Sequence, residues 1–477
     1  MSLVKNSILY LVSTILIKAT TFFLLPFYSY LVTPEEYGYV YVVSAASTFL
    51  MFLMLLSIHA CISRFLFDCN NEDDVKKLYS TVVYILGGNA SIIALVLLIL
   101  DNVIANFINI PTLYFRLTII ISYLGAFYNV ILALLYARQE AKKVSLTLSV
   151  VGILNIIVQL LLVLNMQNKA LALILAMVIN SILTFLIFLW FSKSFIAFVF
   201  DKSMVRKYIY YSLSQFPSDV SAWVAKFTDR VIINKYIGPA ETGVYGVGTT
   251  VGMIPQVIFQ SMNQAYVPHI YSKYKKIEKG DNSGVNEVIN ITTVICSFII
   301  MLITILVIFS KDIINLFSEA YYSAFVVVVI MLLASLFENF RSIFMLPMCY
   351  NIKYTKIKSL IWVIAGALNF VVNIFIIPKY GIIGACFTAL FTYFLTFVAL
   401  WFFSNKAMPI KYEWGKIGSI FIISVVASLT IFLGAQWWDF ILKVIVSVIY
   451  SFICILMIKP ELILNPYNSV RNHFKQV

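Results

Sequence analysis

Long apolar segments recur along this chain, and they restrict what it can fold into more than any other feature. A helix that crosses the hydrocarbon core of a bilayer needs about 20 mostly apolar residues. Such segments are too long for the strands of a membrane barrel, whose alternation of polarity would also be visible. We therefore predict an all-α integral membrane protein with about 14 transmembrane helices. The predicted spans lie near residues 8–31, 39–62, 80–100, 113–136, 144–164, 171–191, 208–237, 243–267, 288–309, 325–347, 359–377, 382–403, 417–435 and 440–458.

The composition agrees with this interpretation, because 62% of the residues are hydrophobic and only 12% are charged. A soluble globular protein carries about 25% charged residues. The three histidines are far apart, the six cysteines form no CxxC pair, and no P-loop, HExxH or GxSxG pattern occurs. We therefore predict that the chain is not an enzyme and has no catalytic residues, no cofactor and no metal site.

The distribution of basic residues predicts the orientation of the chain in the membrane. A formal net charge of +13 invites a nucleic-acid partner, but 24 of the 34 Lys and Arg residues fall in alternate loops. The opposite loops hold only Lys169, Lys311 and Lys379. Because basic loops stay on the cytoplasmic side, both termini are expected in the cytoplasm. The charge thus indicates a multi-pass protein of the cell inner membrane and no nucleic-acid partner.

Short sequence matches indicate an internal duplication. The segment Pro34-Glu35-Glu36-Tyr37-Gly38 follows the first predicted span, and Pro239-Ala240-Glu241-Thr242-Gly243 follows the seventh at an offset of 205 residues. Gly152-Ile153-Leu154-Asn155 and Gly366-Ala367-Leu368-Asn369 match in the same way between the fifth and eleventh spans. A repeat of six spans keeps its orientation, so we predict two similar lobes that surround a central cavity and alternate in access. The predicted units are a six-helix lobe at 1–200, a second at 201–405, and two additional helices with a cytoplasmic tail at 406–477.

Several motifs lie near the first and seventh predicted spans: Leu25-Pro26-Phe27, Pro34-Glu35-Glu36-Tyr37-Gly38, Asp229-Arg230-Val231-Ile232, Gly238 and Gly243-Val244-Tyr245. With these motifs the whole chain resembles the polysaccharide-exporting branch of the multidrug, oligosaccharidyl-lipid and polysaccharide exporter superfamily, the Wzx-type flippases of O-antigen and exopolysaccharide. The segment Tyr30-Leu31-Val32-Thr33 departs from the pattern of relatives, which often carry Leu-Gly and an earlier basic residue there.

The resemblance implies a flippase that moves a polyprenyl-pyrophosphate-linked oligosaccharide from the inner to the outer leaflet by alternating access, for surface polysaccharide biosynthesis. It also implies the bilayer, a polymerase and a chain-length regulator as partners, and H⁺ or Na⁺ as a coupling ion. Three alternatives stay open. They are a cation-coupled multidrug antiporter, a flippase for the cell-wall precursor lipid II, and a membrane polysaccharide polymerase or ligase, although the last usually has a larger outer loop than this chain offers.

Charged residues within the predicted spans point to the candidate site, because each costs about 2.5–3.5 kcal/mol when it faces lipid. On the seventh span, Gln215, Asp219, Lys226 and Arg230 form one stripe about 60° wide, which predicts the wall of a water-filled route. Phosphate groups bind Lys and Arg. The candidate contacts to the pyrophosphate are therefore Lys18, Lys226, Arg230 and Arg341.

The intramembrane carboxylates Asp219, Asp229 and Glu338 are candidates either for the coupling ion or for structural pairing. Lys226 and Asp229 are three residues apart, as are Glu338 and Arg341, so both pairs can form on one helix. The sequence does not decide between these roles. Three further cations near span ends are expected to extend to the membrane interface: Arg116, Lys235 and Lys443.

Overall fold

The computed structural model describes residues 22–197, 199–278, 280–281, 283–433 and 440–458. Within these ranges the chain is almost entirely helical and contains no β-strand, which confirms the all-α prediction. Lys18 and most of the first predicted span lie outside the described residues. The helices are α1 (22–29), α2 (Pro34–Leu55), α3 (His59–Phe65), α4 (Glu72–Ile99), α5 (Asp101–Phe107), α6 (Thr112–Ala137), α7 (Ala141–Asn165), α8 (Lys169–Ser192), α9 (Lys202–Tyr236), α10 (Pro239–Gly252), α11 (Ile254–Glu278), α12 (Ser283–Ile308), α13 (Ser310–Asn315), α14 (Ala324–Phe344), α15 (Leu346–Tyr350), α16 (Thr355–Ala407), α17 (Trp414–Leu433) and α18 (Phe440–Ile458).

Each predicted span from the second to the fourteenth overlaps described helix, although the second is divided between α2 and α3 and the eighth between α10 and α11. Eight of the described helices are long and apolar enough to cross a membrane, and α17 and α18 contain shorter apolar stretches. Helices α9 and α11 are not among the eight, because polar residues interrupt them. The chain is thus a multi-pass integral membrane protein, and α9 and α11 are long helices that are more polar than its other spans.

The eleventh and twelfth predicted spans differ from expectation, because the loop predicted at 378–381 is helical apart from one residue. Helix α16 runs for 53 residues, and only Gly381 leaves helical geometry, at φ 63°. A straight helix of that length would measure about 80 Å, far more than the roughly 30 Å of a hydrocarbon core. Glycine adopts this left-handed conformation without a steric penalty, so Gly381 divides α16 into two spans.

The motif at Pro34 begins α2 with a set of local bonds. Pro34 occupies the first helical turn, where its missing N–H costs no bond. The Thr33 hydroxyl accepts the Glu36 N–H at 3.3 Å, and the Glu36 carboxylate accepts the Thr33 N–H at 2.9 Å, which is a capping box. Glu36 also accepts the backbone N–H of Lys169 at 2.9 Å, so the same carboxylate fixes the start of α8 beside the start of α2.

The two repeated Pro-x-Glu-x-Gly motifs lie against each other. A methyl group on Gly38 would overlap the Pro239 carbonyl, and one on Gly243 would overlap the Pro34 carbonyl. The contact is reciprocal, as in an interface between two copies related by a two-fold axis. Both glycines are therefore required for the close approach of α2 and α10, which supports the internal repeat.

The described chain forms two compact units. The first runs to Thr250 and adds Phe317–Ala324 and Ser359–Ala389. The second comprises Val251–Leu316, Phe325–Lys358 and the chain from Leu390 onward. The lobes at 1–200 and 201–405 and the appendage at 406–477 stay predictions.

Candidate functional site

Helix α9 is the most polar long helix of the first unit, and it is anchored to α2 by a tryptophan. The Trp223 indole is 8% exposed and donates its N–H to the Ala45 carbonyl at 3.0 Å. Its ring also lies 4.5 Å, centroid to centroid, from Phe49. A buried indole needs a partner for its N–H, so this pair of contacts sets the rotation of α9 against α2. Arg230 follows Trp223 by seven residues, or about two turns.

Arg230 has a guanidinium with unused hydrogen-bonding capacity. One Nη donates to the Thr249 hydroxyl at 3.2 Å, and the guanidinium carbon lies 5.6 Å from the Tyr41 ring centroid and 5.2 Å from that of Phe227. The Nε is buried and has no hydrogen-bond partner among the described residues. A guanidinium carries five N–H donors, so most of those of Arg230 are free to bind an anion.

Asp229 is next to Arg230 in sequence, but its carboxylate is held by other groups. The Tyr245 hydroxyl donates to Asp229 Oδ2, and the Arg230 backbone N–H donates to Oδ1 at 2.8 Å. Tyr245 belongs to the Gly243-Val244-Tyr245 motif, although nothing in the sequence indicated its contact with Asp229. The tyrosine satisfies the carboxylate, and the neighbouring guanidinium keeps its donors.

Asp219, about one turn before Trp223 on α9, contacts an interruption between α2 and α3. The Ser57 hydroxyl donates to Asp219 Oδ2 at 2.6 Å. Leu56 and Ser57 both have positive φ values, 44° and 58°. Such conformations cost free energy for residues with a side chain, and they persist where surrounding contacts enforce them. The bond to Asp219 is one such contact.

Glu338 and Arg341 form a buried ion pair in the second unit. Both residues are 2% exposed, and the Arg341 guanidinium contacts the Glu338 carboxylate one turn earlier on α14. Gln256 donates to Glu338 Oε1 at 2.7 Å, and the Arg341 guanidinium lies 5.4 Å from the Tyr393 ring centroid. The pairing that the spacing allowed is thus present. The guanidinium and the carboxylate face each other in this conformation. A contact of Arg341 with substrate stays a prediction.

The three cations near span ends each contact a partner, and their extension to the membrane interface stays a prediction. Arg116 donates to Asp101 at 2.6 Å, Lys443 forms an ion pair with Asp312, and the Lys235 ammonium lies 3.5 Å from the Phe107 ring centroid. The hydrogen bond from the Arg116 guanidinium lowers the pKa of Asp101, which begins α5. These pairs could not be predicted from sequence spacing, because Asp312, for example, is 131 residues from Lys443.

Of the candidate residues, Lys226 lies on α9 one turn before Arg230 and is partly exposed. The structure thus brings Asp219, Lys226, Asp229 and Arg230 together on one helix and puts Glu338 and Arg341 on another. Within the described residues, no group of three or more His, Cys, Asp or Glu side chains is placed to hold a metal ion.

Comparison with known proteins identifies related sequences and folds. The family described as "Polysaccharide biosynthesis protein" matches residues 3–274, more than half of the chain. An uncharacterized membrane protein of Methanocaldococcus jannaschii is 25% identical over 214 residues, which is 44% of this chain and only 41% of that relative.

Solved structures of transporters share the fold. A lipid II flippase, MurJ, in an inward closed conformation matches with a TM-score of 0.73 at 16% identity, over 96% of this chain and 98% of its own. An inward-facing multidrug resistance MATE transporter of the MOP superfamily matches with 0.62 at 12% identity, over 85% and 94%. A MOP superfamily transporter from Pyrococcus furiosus, described as having a binding pocket of reversed polarity, matches with 0.55 at 14% identity, over 84% and 95%. At these identities the similarity concerns the fold.

Proposed function

The chain belongs to the polysaccharide biosynthesis protein family, and from this premise we propose that it is a flippase for a lipid-linked saccharide. It moves a polyprenyl-pyrophosphate-linked oligosaccharide from the inner to the outer leaflet of the cytoplasmic membrane by alternating access. The product serves the synthesis of a surface polysaccharide such as O-antigen, capsule or exopolysaccharide. In this proposal both termini are cytoplasmic, and a polymerase and a chain-length regulator act on the delivered saccharide.

Arg230 is the observation that carries the proposal. An arginine within a membrane helix is costly unless it has a function or a partner. The Tyr245 hydroxyl engages Asp229, so the carboxylate next in sequence does not consume the donors of Arg230. A guanidinium with free N–H groups on a partly exposed helix binds phosphate in a bidentate manner. This supports an anionic headgroup as the substrate.

Other charged residues have secondary roles in the proposal. Lys226 adds a second positive charge one turn from Arg230, and Lys18 and Arg341 are further candidate contacts. Asp219 and Glu338 are the candidates for a coupling H⁺ or Na⁺. If flipping is indifferent to both ion gradients, the coupling role is excluded.

Export measurements on single variants test the phosphate contact. We expect Arg230→Ala and Lys226→Ala to abolish surface-polysaccharide export at unchanged protein abundance, because each removes a charge from the headgroup contact. Lys235→Ala is the matched control, since Lys235 lies on the same helix but stacks on Phe107. Full export by both Arg230→Ala and Lys226→Ala would contradict the proposal.

Lipid II flipping and drug antiport are the alternatives to exclude. Lipid II also carries a pyrophosphate, so the charge at Arg230 does not separate it from other saccharide lipids. Complementation separates these substrates, because a cell depleted of its own lipid II flippase grows only if this chain supplies that activity. Drug resistance on overexpression, with no effect on surface saccharide, would favour the antiporter.

A further inference from the structure

A second feature of the first unit is a polar cavity of about 410 Å³ among α2, α6, α7 and α8. Its size is within the range of small-molecule sites. Its lining among the described residues contains no Asp, Glu, Lys or Arg. Instead each of the four helices contributes hydroxyl or amide groups, among them Thr48, Tyr128, Asn155 and Asn180.

Several polar atoms of this lining lack hydrogen bonds. The Ser47 Oγ, Tyr128 Oη, Asn155 Oδ1 and Asn180 Oδ1 atoms are buried and have no partner among the described residues. Buried polar atoms in proteins are nearly always paired, because leaving one unpaired loses its hydration without replacement. Four such atoms, one from each of the four helices, lie around this one cavity, where the groups of a polar guest would give them partners.

The cavity is close to Arg230 along α2. Tyr41, whose ring lies under the Arg230 guanidinium, precedes Ser44 and Thr48 by three and seven residues. Residues at this spacing share a helix face, and they follow Tyr41 by about 5 Å and 10 Å along the axis. One face of α2 therefore connects the Arg230 guanidinium to an uncharged cavity, whose lining combines hydroxyl and amide groups with apolar side chains.

We propose that this cavity is a subsite for a sugar ring of the lipid-linked substrate, an inference that rests on the proposed function. Sugar hydroxyl groups both donate and accept, and the amides and hydroxyls of the lining do the same. A site without carboxylates is poorly suited to Ca²⁺ or Mg²⁺, whose protein sites usually include carboxylate oxygens. The pyrophosphate binds at Arg230, and the first saccharide units enter the cavity beside it.

Binding of two probes to the purified full-length protein tests the subsite. The probes are polyprenyl pyrophosphate alone and the saccharide-bearing polyprenyl pyrophosphate fraction extracted from the host. We expect the wild type to bind the saccharide-bearing lipid at least tenfold more tightly, which corresponds to about 1.4 kcal/mol. Asn155→Leu and Asn180→Leu keep the side-chain shape but remove the amide, and each should reduce this preference while carrier binding is retained.

Matched controls separate the subsite from the proposed function. Asn165→Leu makes the same exchange at the exposed end of α7 and should keep the wild-type preference, and Thr48→Val is a milder test if a leucine variant fails to fold. A wild type that binds both probes equally, or a preference that survives in Asn155→Leu, Asn180→Leu and Thr48→Val, would show a cavity that holds only water. Failure of the wild type to bind either probe would overturn the proposed function, and the subsite with it.

Discussion

Asp229 and Arg230 on α9 and Glu338 and Arg341 on α14 are two membrane-embedded combinations of a carboxylate and an arginine, and they behave differently. Adjacent residues on a helix project about 100° apart, so Asp229 and Arg230 do not face each other. Residues three apart are neighbours on the helix surface, and Glu338 and Arg341 form a closed ion pair. The spacing along the helix thus places Arg341 against the Glu338 carboxylate, whereas it directs the Arg230 side chain away from that of Asp229.

The second partner of each carboxylate reinforces this difference. Tyr245 satisfies Asp229 with a neutral hydroxyl, so no cation is needed there. Gln256 adds to the Glu338–Arg341 pair, which is 2% exposed at both residues. We therefore propose that the buried pair maintains structure and that the partly exposed Arg230 binds the ligand. Each role can be tested by changing one partner, and a transport role for Glu338 or Arg341 is the alternative that these tests decide.

The largest effect is expected from breaking the buried pair. Glu338→Gln leaves the Arg341 charge buried without its carboxylate, which costs about 3–5 kcal/mol. We expect lower protein abundance and a lower thermal midpoint in detergent. Unchanged abundance and midpoint would show that the pair contributes little to stability.

A double variant then separates structure from coupling. Glu338→Leu with Arg341→Met replaces both charges by apolar groups of similar volume, which is often neutral for stability. If the pair is structural, this variant recovers both abundance and export. Recovery of abundance without export would instead assign a transport role to Glu338 or Arg341.

A smaller effect is expected at Tyr245. Tyr245→Phe removes the hydroxyl that donates to Asp229 Oδ2 and leaves that oxygen without its donor, which costs about 1–3 kcal/mol, while Oδ1 keeps the Arg230 backbone N–H. The freed carboxylate is then available to the neighbouring guanidinium, so export should fall further than abundance does. Asp229→Asn is the control, because its amide oxygen can still accept the Arg230 backbone N–H, its NH2 group can donate to the Tyr245 hydroxyl, and the Arg230 guanidinium keeps its donors. Normal export by Tyr245→Phe would mean that the tyrosine does not keep Arg230 available.

The helices and most of the membrane spans could be predicted from the sequence, because a run of about 20 apolar residues is visible in each segment without knowledge of its neighbours. The candidate charges on α9 and the pairing at Glu338 also followed from helical spacing. The contacts that determine what those charges do could not be predicted. Tyr245 is 16 residues from Asp229, and Asp312 is 131 residues from Lys443. Such contacts depend on how helices pack, and no local pattern records that.

The polar cavity illustrates the same limit. Asn155 and Asn180 lie on separate helices, and each taken alone resembles an ordinary polar residue within a span. Only the packing of α7 and α8 beside α2 and α6 gathers their unpaired oxygens around one space. The glycines at 38 and 243 differ, because their repeated motif was visible in the sequence. Their mutual contact explains why both copies need a residue without a side chain at that position.

The smallest effect is expected at the pair of Asp101 and Arg116, where a carboxylate and an arginine meet at the end of a span. The hydrogen bond from Arg116 lowers the pKa of Asp101, so the folded protein binds that proton less readily than the unfolded chain. The pair therefore stabilises the fold above the ordinary aspartate pKa of about 3.9, and its contribution is lost as the pH falls through the folded-state value. The Arg116 side chain is 55% exposed, so solvent weakens the interaction. Asp101→Asn should lower the thermal midpoint slightly at pH 7, and the difference from wild type should vanish in acid below the folded-state pKa. A difference that persists unchanged in acid would show that Asp101 acts through the hydrogen bond that its side chain accepts from the Asn102 backbone N–H and not through its charge.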